Sequence, residues 1–354
     1  MFNNVRAKLL SLKFRAFRRI VISLFAKCPK DLERAIIIGD NLNHLLMNSP
    51  FRYFFQFKIP GNISRKLYDL SFPSPLVAAS FKDDVSSLYQ WQLMGLGGIT
   101  YKTVLKSPSD GNKRPRIQEI KYKGDYGLLN SLGLPTKGVE YFVNHLENKK
   151  LLSFNRPVGI SIGGNNKEEY LEVFRAIHSK VSSSSFSQFF YEINISCPNT
   201  SDGKCLSDDI QGLSGLLNSM RSASPNVIIV KVSPDSKKGN ILKICEALSI
   251  VEKCAINLGN TKYITAESVG LNQKNFSKEG GGLSGSGLFE TTLKNVKLIS
   301  SRFNIPIIAT GGISSYDHVE AVLDEGATLA GMASQLVIDP FQIPLINDRL
   351  SDEK

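Results

Sequence analysis

The chain has 354 residues, of which 42% are hydrophobic and 21% charged, as is usual for a soluble globular protein. Its five cysteines and four histidines include no CxxC, HExxH or paired-histidine spacing, which argues against a disulfide framework and against a zinc or histidine-metal enzyme. The net charge of +11 is concentrated in residues 1–30, which hold eight Lys and Arg and no acid. The other 35 basic and 32 acidic residues nearly balance, so the main domain lacks the basic excess that binds nucleic acid.

Residues 5–27 predict a basic amphipathic helix. Its apolar residues recur at spacings of three and four along one face: Leu10, Phe14, Phe17, Val21 and Leu24. We expect this helix to lie on an anionic membrane surface, because its cations suit lipid head groups and its apolar run is too short to span a bilayer. Two alternatives stay open: a mitochondrial transit peptide, and a helix packed against its own barrel.

Residues 31–57 predict further helix and loop, rich in Leu, Met, Phe and Tyr. Together with the first helix they would form a small hydrophobic extension ahead of the main domain. Such an extension either admits a lipid-soluble partner or plugs the bottom of the domain, and the periodicity does not distinguish these roles.

From residue 67 onward, short apolar segments alternate with amphipathic helices. The predicted strands are 76–80, 97–102, 158–162, 190–196, 226–233, 254–260, 305–310 and 327–332, and helices between them include 167–180, 208–222, 239–252, 288–302 and 315–325. This alternation is typical of the α/β class, and eight buried strands favour a closed parallel (β/α)8 TIM barrel. We therefore expect a short N-terminal helical extension (1–60), a barrel (61–345) and a polar tail (346–354), with inserts 103–150 and 261–287 over one face.

Polar residues stand at the carboxyl ends of the predicted strands, where barrel enzymes place their active sites. They are Ser80, Lys102, Ser161, Asn194, Cys197, Asn199, Lys231, Asn260, Gly311, Gly312 and Ser334. We expect these residues to form a ring around one mouth of the barrel.

Cys197 ends its predicted strand, because Pro198 has no N–H and cannot continue a central strand. A thiol in that position suits a base or a nucleophile, and a buried structural cysteine is the alternative. Lys231 lies in an apolar run and therefore needs an anion, which a ligand or a structural salt bridge would supply. Lys102 raises the same question, unless it leaves its strand into solvent.

Two glycine clusters, residues 280–287 and 311–314, each precede a predicted helix. Backbone N–H groups in a glycine turn at a helix N-terminus bind phosphate, and barrels place such a site after strands seven and eight. A plain tight turn is the alternative for either cluster alone. No GxGxxG follows the first strand, so the pattern is not a dinucleotide fingerprint.

Five motifs occur in collinear order over roughly residues 65–340: NSLGLP (130–135), NISCPNT (194–200), VKV (230–232), GGLSG (281–285) and ATGGI (309–313). Together they resemble the dihydroorotate dehydrogenase family. The resemblance implies an FMN-bearing (β/α)8 barrel that oxidises (S)-dihydroorotate to orotate in pyrimidine synthesis.

Carried onto matching positions, the resemblance implies that Cys197 is the general base that takes a proton from C5 of dihydroorotate. The substrate-binding residues it implies are Lys102, Asn130, Asn194, Asn199, Asn260 and Thr261. The residues assigned to the flavin are Ser80, Lys102, Ser161, Asn194, Lys231, Gly282, Gly285, Gly311, Gly312 and Ser334. Lys231 would face the flavin's pyrimidine edge, where reduction develops negative charge. No metal is expected.

The chain combines features of the two broad types of this family. A cysteine base resembles the soluble type, whereas the N-terminal extension resembles the membrane-associated, quinone-linked type. The GFDK element of the latter type reads Ser80-Phe-Lys-Asp83 here, which moves the lysine to position 82. We expect a quinone as electron acceptor, with fumarate or NAD as alternatives. We expect a peripheral membrane location on the cytoplasmic face, with the mitochondrial inner membrane or the cytoplasm as alternatives.

Two rival interpretations come from outside this reaction. One is a related flavin barrel that acts on another pyrimidine-like substrate. The other is a non-catalytic barrel scaffold, which the intact set of Cys197, Lys231 and asparagines disfavours. The oligomeric state is not predicted.

Overall fold

The computed structural model describes residues 2–26, 31–146, 149–184, 187–195, 206–234 and 236–352. The helices are α1 (Phe2–Phe25), α2 (Leu32–Met47), α3 (Val85–Met94), α4 (Val139–His145), α5 (Lys149–Leu152), α6 (Lys167–Ser182), α7 (Ile210–Ala223), α8 (Lys238–Ser249), α9 (Phe289–Ser300), α10 (Tyr316–Asp324), α11 (Ser334–Ile338) and α12 (Gln342–Asp352). Short 3-10 helices span Pro50–Phe55, Gly61–Ile63, Glu267–Val269 and Ser286–Leu288.

The strands are β1 (Arg65–Leu67), β2 (Leu70–Phe72), β3 (Leu76–Ala78), β4 (Gly98–Val104), β5 (Ile117–Tyr122), β6 (Asp125–Asn130), β7 (Val158–Ile162), β8 (Phe189–Asn194), β9 (Val227–Val232), β10 (Cys254–Leu258), β11 (Lys262–Thr265), β12 (Gly280–Gly285), β13 (Ile307–Thr310) and β14 (Leu329–Met332). Eight of them close a parallel barrel in the order β3-β4-β7-β8-β9-β10-β13-β14. The predicted TIM barrel is therefore confirmed.

The barrel interior is apolar at its amino-terminal end and polar toward its carboxyl end. Successive side chains of a strand point to opposite faces, so β8 directs Phe190, Glu192 and Asn194 inward. Phe190 belongs to a buried cluster with Phe72 from the β1–β2 hairpin, which closes that end of the barrel. Above this cluster the inward-facing residues are polar, so polar side chains form the bottom of the opening at the carboxyl end of the barrel.

The two inserts, residues 103–150 and 261–287, pair with each other in one antiparallel sheet with the strand order β11-β12-β6-β5. In its register Asn130 lies opposite Gly282, and the Asn130 amide donates to the Gly282 carbonyl over 3.2 Å. Residues 280–285, predicted as a phosphate-binding turn, are thus a strand. At Gly282 a Cβ atom would stand 2.1 Å from Thr261 Oγ1, so the close approach of β11 and β12 explains this glycine.

Helix α1 is apolar on two faces rather than one. Phe14 packs edge-on against Phe341, with ring centroids 6.0 Å apart, and Val21 is buried. The prediction of a membrane-facing position is therefore wrong for Phe14 and Val21, which other parts of the domain cover. Phe17 and Leu24 of the same predicted face are exposed, together with further apolar residues of α1: Val5, Leu9, Leu12 and Ile20. Among the described residues, no helix combines the length and apolarity needed to cross a membrane.

Ion pairs connect the start of helix α2 to the segment that immediately precedes strand β5. Arg114 and Arg116 reach Asp31 and Glu33, each pair at 2.7 Å. At the other end of the chain, the predicted polar tail of residues 346–354 is instead largely helical up to Asp352, within α12. Ile346, Asn347 and Leu350 are buried there, because the helix presents one face to the domain.

Candidate active site

One cavity of about 2190 Å³ covers the carboxyl end of the barrel and extends between the barrel and the N-terminal helices. Of the predicted site residues that the structure describes, all except Ser161 line it: Ser80, Lys102, Asn130, Asn194, Lys231, Asn260, Thr261, Gly282, Gly285, Gly311, Gly312 and Ser334. Typical small-molecule pockets measure about 300–1,000 Å³, so this space exceeds the needs of one ligand. Cys197 and Asn199 lie outside the described residues, and their predicted roles stay predictions.

Lys102 turns into the cavity instead of leaving the strand into solvent. Its Nζ donates a hydrogen bond to the Pro135 carbonyl over 2.7 Å. Burial lowers the pKa of the Lys102 ammonium, and the nearby Asp83 carboxylate partly opposes that effect. Lys102 is thus a partly desolvated cation, which favours pairing with an anionic ligand.

Asn194 is held by a chain of buried hydroxyls. Its side-chain amide donates to Thr103 Oγ1 over 3.0 Å, and Thr103 Oγ1 lies 3.0 Å from Ser161 Oγ. Ser161 is fully buried and does not line the cavity. The structure therefore places Ser161 behind Asn194, where it orients that amide through Thr103. The prediction of a direct cofactor contact by Ser161 finds no support in this position.

Lys231 belongs to a buried network at the floor of the cavity. Its Nζ donates to Ser80 Oγ over 3.0 Å and lies 4.0 Å from the Glu192 carboxylate. Ser80 Oγ donates to Glu192 Oε1, and the Asn257 amide donates to Glu192 Oε2 over 2.8 Å. The salt bridge considered as the alternative for Lys231 is thus present, and Lys231 also lines the cavity.

The second glycine cluster follows β13 as predicted. Gly312 has φ +81°, a left-handed conformation that favours glycine, and a Cβ atom there would stand 2.4 Å from the Phe289 nitrogen. Gly311 and Gly312 line the cavity next to Ser334, which begins α11 after β14. These residues therefore border the cavity at the strands after which barrels bind phosphate.

Lys82, the displaced lysine of the altered Ser80–Asp83 element, pairs with Asp40 of α2 at 2.5 Å. Both residues line the cavity. Burial raises the pKa of the Asp40 carboxyl, and Lys82 counteracts that rise. This pair joins the N-terminal helices to the barrel mouth.

The part of the cavity between α1, α2 and α11 is mainly apolar. Its lining includes Leu10, Phe14, Val21, Ile22, Leu32, Ala35, Ile36, Leu42, Leu46, Phe55, Leu336 and Phe341. We call this part the apolar half, and the part lined by the strand ends and the insert sheet the polar half. Arg18, also at the apolar half, donates to the Val337 carbonyl over 3.1 Å and pairs with Glu119.

Glu192, Asn257 and Thr103 were not identified from the sequence. Glu192 and Asn257 occupy inward positions of strands β8 and β10 and are 2% exposed. The signal that identifies them is a polar residue inside an otherwise buried strand, the same signal that identifies Lys231. In the described part of the chain, no cluster of three or more His, Cys, Asp and Glu side chains is arranged to bind a metal ion.

Comparisons with known proteins agree on one family. The model of the family described as dihydroorotate dehydrogenase matches residues 62–353. The catalytic subunit of dihydroorotate dehydrogenase B (NAD(+)) from Malacoplasma penetrans is 28% identical over 285 residues, which are 79% of this chain and 89% of the relative. Dihydroorotate dehydrogenase (quinone) from Christiangramia forsetii is 28% identical over 315 residues, 84% of this chain and 87% of the relative.

The fold has a similar solved counterpart. The crystal structure of DHODH from Eimeria tenella in complex with ferulenol superposes with a TM-score of 0.69 at 20% identity, covering 89% of this chain and 90% of that one. This likeness supports the barrel and its surrounding helices. On the match of the family model over residues 62–353, the chain belongs to the dihydroorotate dehydrogenase family of oxidoreductases.

Proposed function

We propose that the chain oxidises (S)-dihydroorotate to orotate with bound FMN and passes the electrons to a lipid-soluble quinone. Enzymes of this family are flavin-dependent. The observation that carries the proposal is the single cavity that joins a polar half at the barrel mouth to an apolar half beneath α1 and α2. A polar pyrimidine and an apolar acceptor have opposite solvation needs, and the two halves match them.

The residues of the polar half fit FMN. Gly311, Gly312 and Ser334 offer backbone N–H groups and a hydroxyl where the ribityl phosphate would lie, and a Cβ at Gly312 would clash with the protein's own backbone there. Lys231 presents a cation at the floor of the cavity, which suits the flavin edge that gains negative charge on reduction. When bound, FMN would accept a hydride from C6 of dihydroorotate.

The substrate would be held by amides and one cation. Asn130, Asn194 and Asn260 line the polar half, and side-chain amides supply both donors and acceptors to a pyrimidine ring that has both. Lys102 would pair with the substrate carboxylate. Asn199 and the supporting Thr261 complete the proposed set.

Cys197 is proposed as the base for the C5 proton, so that loss of this proton and of the C6 hydride forms the double bond of orotate. A thiol with an ordinary pKa of about 8.5 is mostly protonated at neutral pH, so turnover should rise as pH rises. Reduction of a quinone to its quinol then takes up two electrons and two protons, which balances the reaction.

The quinone and the membrane location rest on the helical extension. Besides the exposed apolar residues of α1, the extension exposes Ile37 and Leu45 of α2 and Phe51 and Phe54 in the 3-10 helix that follows. Basic residues Lys8, Arg15 and Arg19 lie beside this surface on α1, as peripheral binding to anionic lipid requires. We propose attachment to the cytoplasmic face of a membrane, from which a quinone would enter the apolar half.

The test uses purified full-length protein under anaerobic conditions. We expect a yellow protein whose flavin bleaches when dihydroorotate is added and recovers its colour when a quinone analogue is added. Bleaching without recovery by quinone, but with recovery by fumarate or NAD, would replace the acceptor and leave the substrate assignment intact. A yellow protein that dihydroorotate does not bleach contradicts the substrate assignment.

The role of Cys197 has its own test. In Cys197→Ser, the alkaline rise of the bleaching rate should move to higher pH, because a hydroxyl is a weaker acid than a thiol. An unchanged pH profile would remove Cys197 from the mechanism. Orotate binding, followed by its perturbation of the flavin spectrum, should be retained in this variant.

A further inference from the structure

We propose that Glu192 is a positioning residue for the reaction, which supplies the counter-ion of the Lys231 ammonium and holds it in place beneath the flavin. The inference rests on the proposed function, because it takes the flavin to bind over Lys231. It is carried by the buried network in which Ser80 bridges the two charges and Asn257 fixes the second carboxylate oxygen.

Glu192 cannot meet the substrate itself. It does not line the large cavity, whereas Ser80 and Lys231 do. Below it lies only a cavity of about 10 Å³, bordered by Asn257 and Thr310, and that volume has room for about one water molecule. Any influence of Glu192 on the chemistry therefore passes through Ser80 and Lys231.

The carboxylate has no evident structural purpose at this level of the barrel. The interior layer beneath it is closed by Phe72, Phe190 and Leu329, which are apolar and buried. Burying an ion pair inside a protein is often neutral or worse for stability than an apolar pair of the same size. Two opposite charges at 2% and 6% exposure, directly below a proposed flavin site, are better explained by chemistry than by folding.

The physical effect follows from the surroundings of Lys231. Among the described residues, Glu192 on β8 is the one ionisable group paired with it. Its other polar neighbours, Ser80 and the register partners Asn194 and Asn257, are neutral, and Lys102 is a second cation on the same cavity. A buried lysine without a counter-ion has a lowered pKa and loses its proton as pH rises. Glu192 supplies the counter-ion of Lys231, and the ammonium held beside it would stabilise the negative charge that reduction places on the flavin.

Glu192→Gln is a suitable test because its amide has partners available. Gln Oε1 can still accept from Ser80. Its Nε2 can donate to Asn257 Oδ1, an atom with no hydrogen-bond partner in the described part of the chain, once the Asn257 amide flips. The substitution therefore removes the charge and conserves the shape and the hydrogen bonds.

The measurement is the flavin reduction potential of full-length holoenzyme, by dye equilibration from pH 6 to pH 9. At pH 6 reduction of Glu192→Gln should be no less favourable than in wild type. By pH 9 we expect it to be at least tenfold less favourable, which is about 30 mV for two electrons. Glu192→Gln/Lys231→Met should differ from wild type by a constant offset at every pH, since no lysine remains to titrate.

Two further variants complete the test. Glu246→Gln removes one exposed carboxylate from α8 and should match wild type throughout. Ser80→Ala keeps both charges and removes the bridge, so reduction should be about threefold less favourable at pH 9. A Glu192→Gln profile parallel to wild type overturns the proposal. If that variant does not fold, a Ser80→Ala potential identical to wild type at every pH overturns it. A protein purified without flavin would contradict the proposed function instead.

Discussion

The two halves of the cavity are built from different parts of the chain, and they are stabilised by different interactions: buried hydrogen bonds in one and apolar packing in the other. The polar half consists of strand ends and the insert sheet, within the region that matches the family, residues 62–353. Its charged side chains are fixed by buried hydrogen bonds. The apolar half is formed largely by α1 and α2, outside that match, and it is shaped by packing. Under the proposed function, substrate chemistry and acceptor choice would therefore reside in separable segments of the sequence.

The largest expected effect is a loss of orotate affinity on substitution of Lys102 in the polar half. Lys102→Met should weaken orotate binding by about 30-fold or more, because loss of one partner of a buried charge pair costs roughly 2–5 kcal/mol. Lys106→Met is the matched control, since Lys106 follows the same strand but is exposed and pairs with Glu172. Orotate titration of the bound flavin measures both variants. Equal affinity in Lys102→Met and wild type would remove Lys102 from the substrate site.

The pH dependence of orotate binding provides a second test of the contact between Lys102 and the substrate. Burial lowers the pKa of Lys102 below the usual 10.5, and the charged form is the one that binds a carboxylate. Affinity should therefore be constant near neutral pH and fall as pH rises through the lowered value. Isothermal titration between pH 6 and pH 10 should show this fall in wild type and no such step in Lys102→Met. A fall of the same size in the variant would assign it to another group.

A substitution in the apolar half should affect only the acceptor. Gly39 of α2 lines the cavity and has nothing within 4 Å of the position where a Cβ would lie. Gly39→Phe should fill this space and slow flavin reoxidation by a quinone analogue about tenfold, an effect of roughly 1.4 kcal/mol. The rate of flavin reduction by dihydroorotate should not change.

Gly239→Phe provides the control, because Gly239 is also a helical glycine with open space around it, but on α8 at the exposed surface. It should leave both half-reactions unchanged in stopped-flow measurements. Equal slowing of both half-reactions in Gly39→Phe would mean that the two halves are not separable.

A vesicle-binding experiment tests whether the exposed apolar surface of α1 attaches the protein to a membrane. Ile20 of α1 is 56% exposed, and Ile250 after α8 is 80% exposed. Ile20→Glu should lower co-sedimentation with vesicles containing anionic lipid several-fold, because it removes about 1 kcal/mol of apolar burial from a half-exposed side chain and adds a repelled charge. Ile250→Glu should have no effect. Equal binding by Ile20→Glu and wild type would contradict attachment through α1.

The barrel was predictable from the sequence because each strand is a short apolar run between amphipathic helices. The segment 227–232 shows this most clearly, with Lys231 as its single polar residue. The contacts within the site were not predictable. No local sequence pattern predicts that Asn130 pairs with Gly282, because the two residues are 152 positions apart. Only part of the predicted membrane face of α1 is exposed, for a related reason: when a helix is apolar on two sides, periodicity cannot tell which side packs against the rest of the domain.

The smallest expected effect concerns the Lys82–Asp40 pair, which connects the two halves. Burial already raises the pKa of the Asp40 carboxyl, and Lys82→Met would remove the cation that opposes this rise. A raised pKa in the folded state means that stability is retained below the unfolded value of about 3.8 and lost as pH rises. Lys82→Met should thus match wild type near pH 3.5 and be less stable by about 1 kcal/mol at pH 7, since the pair is partly exposed. In denaturation experiments at both pH values, adding Asp40→Asn should abolish this pH-dependent difference; if the difference persists, the titrating group is not Asp40, and the Lys82–Asp40 pair does not stabilise the junction of the two halves.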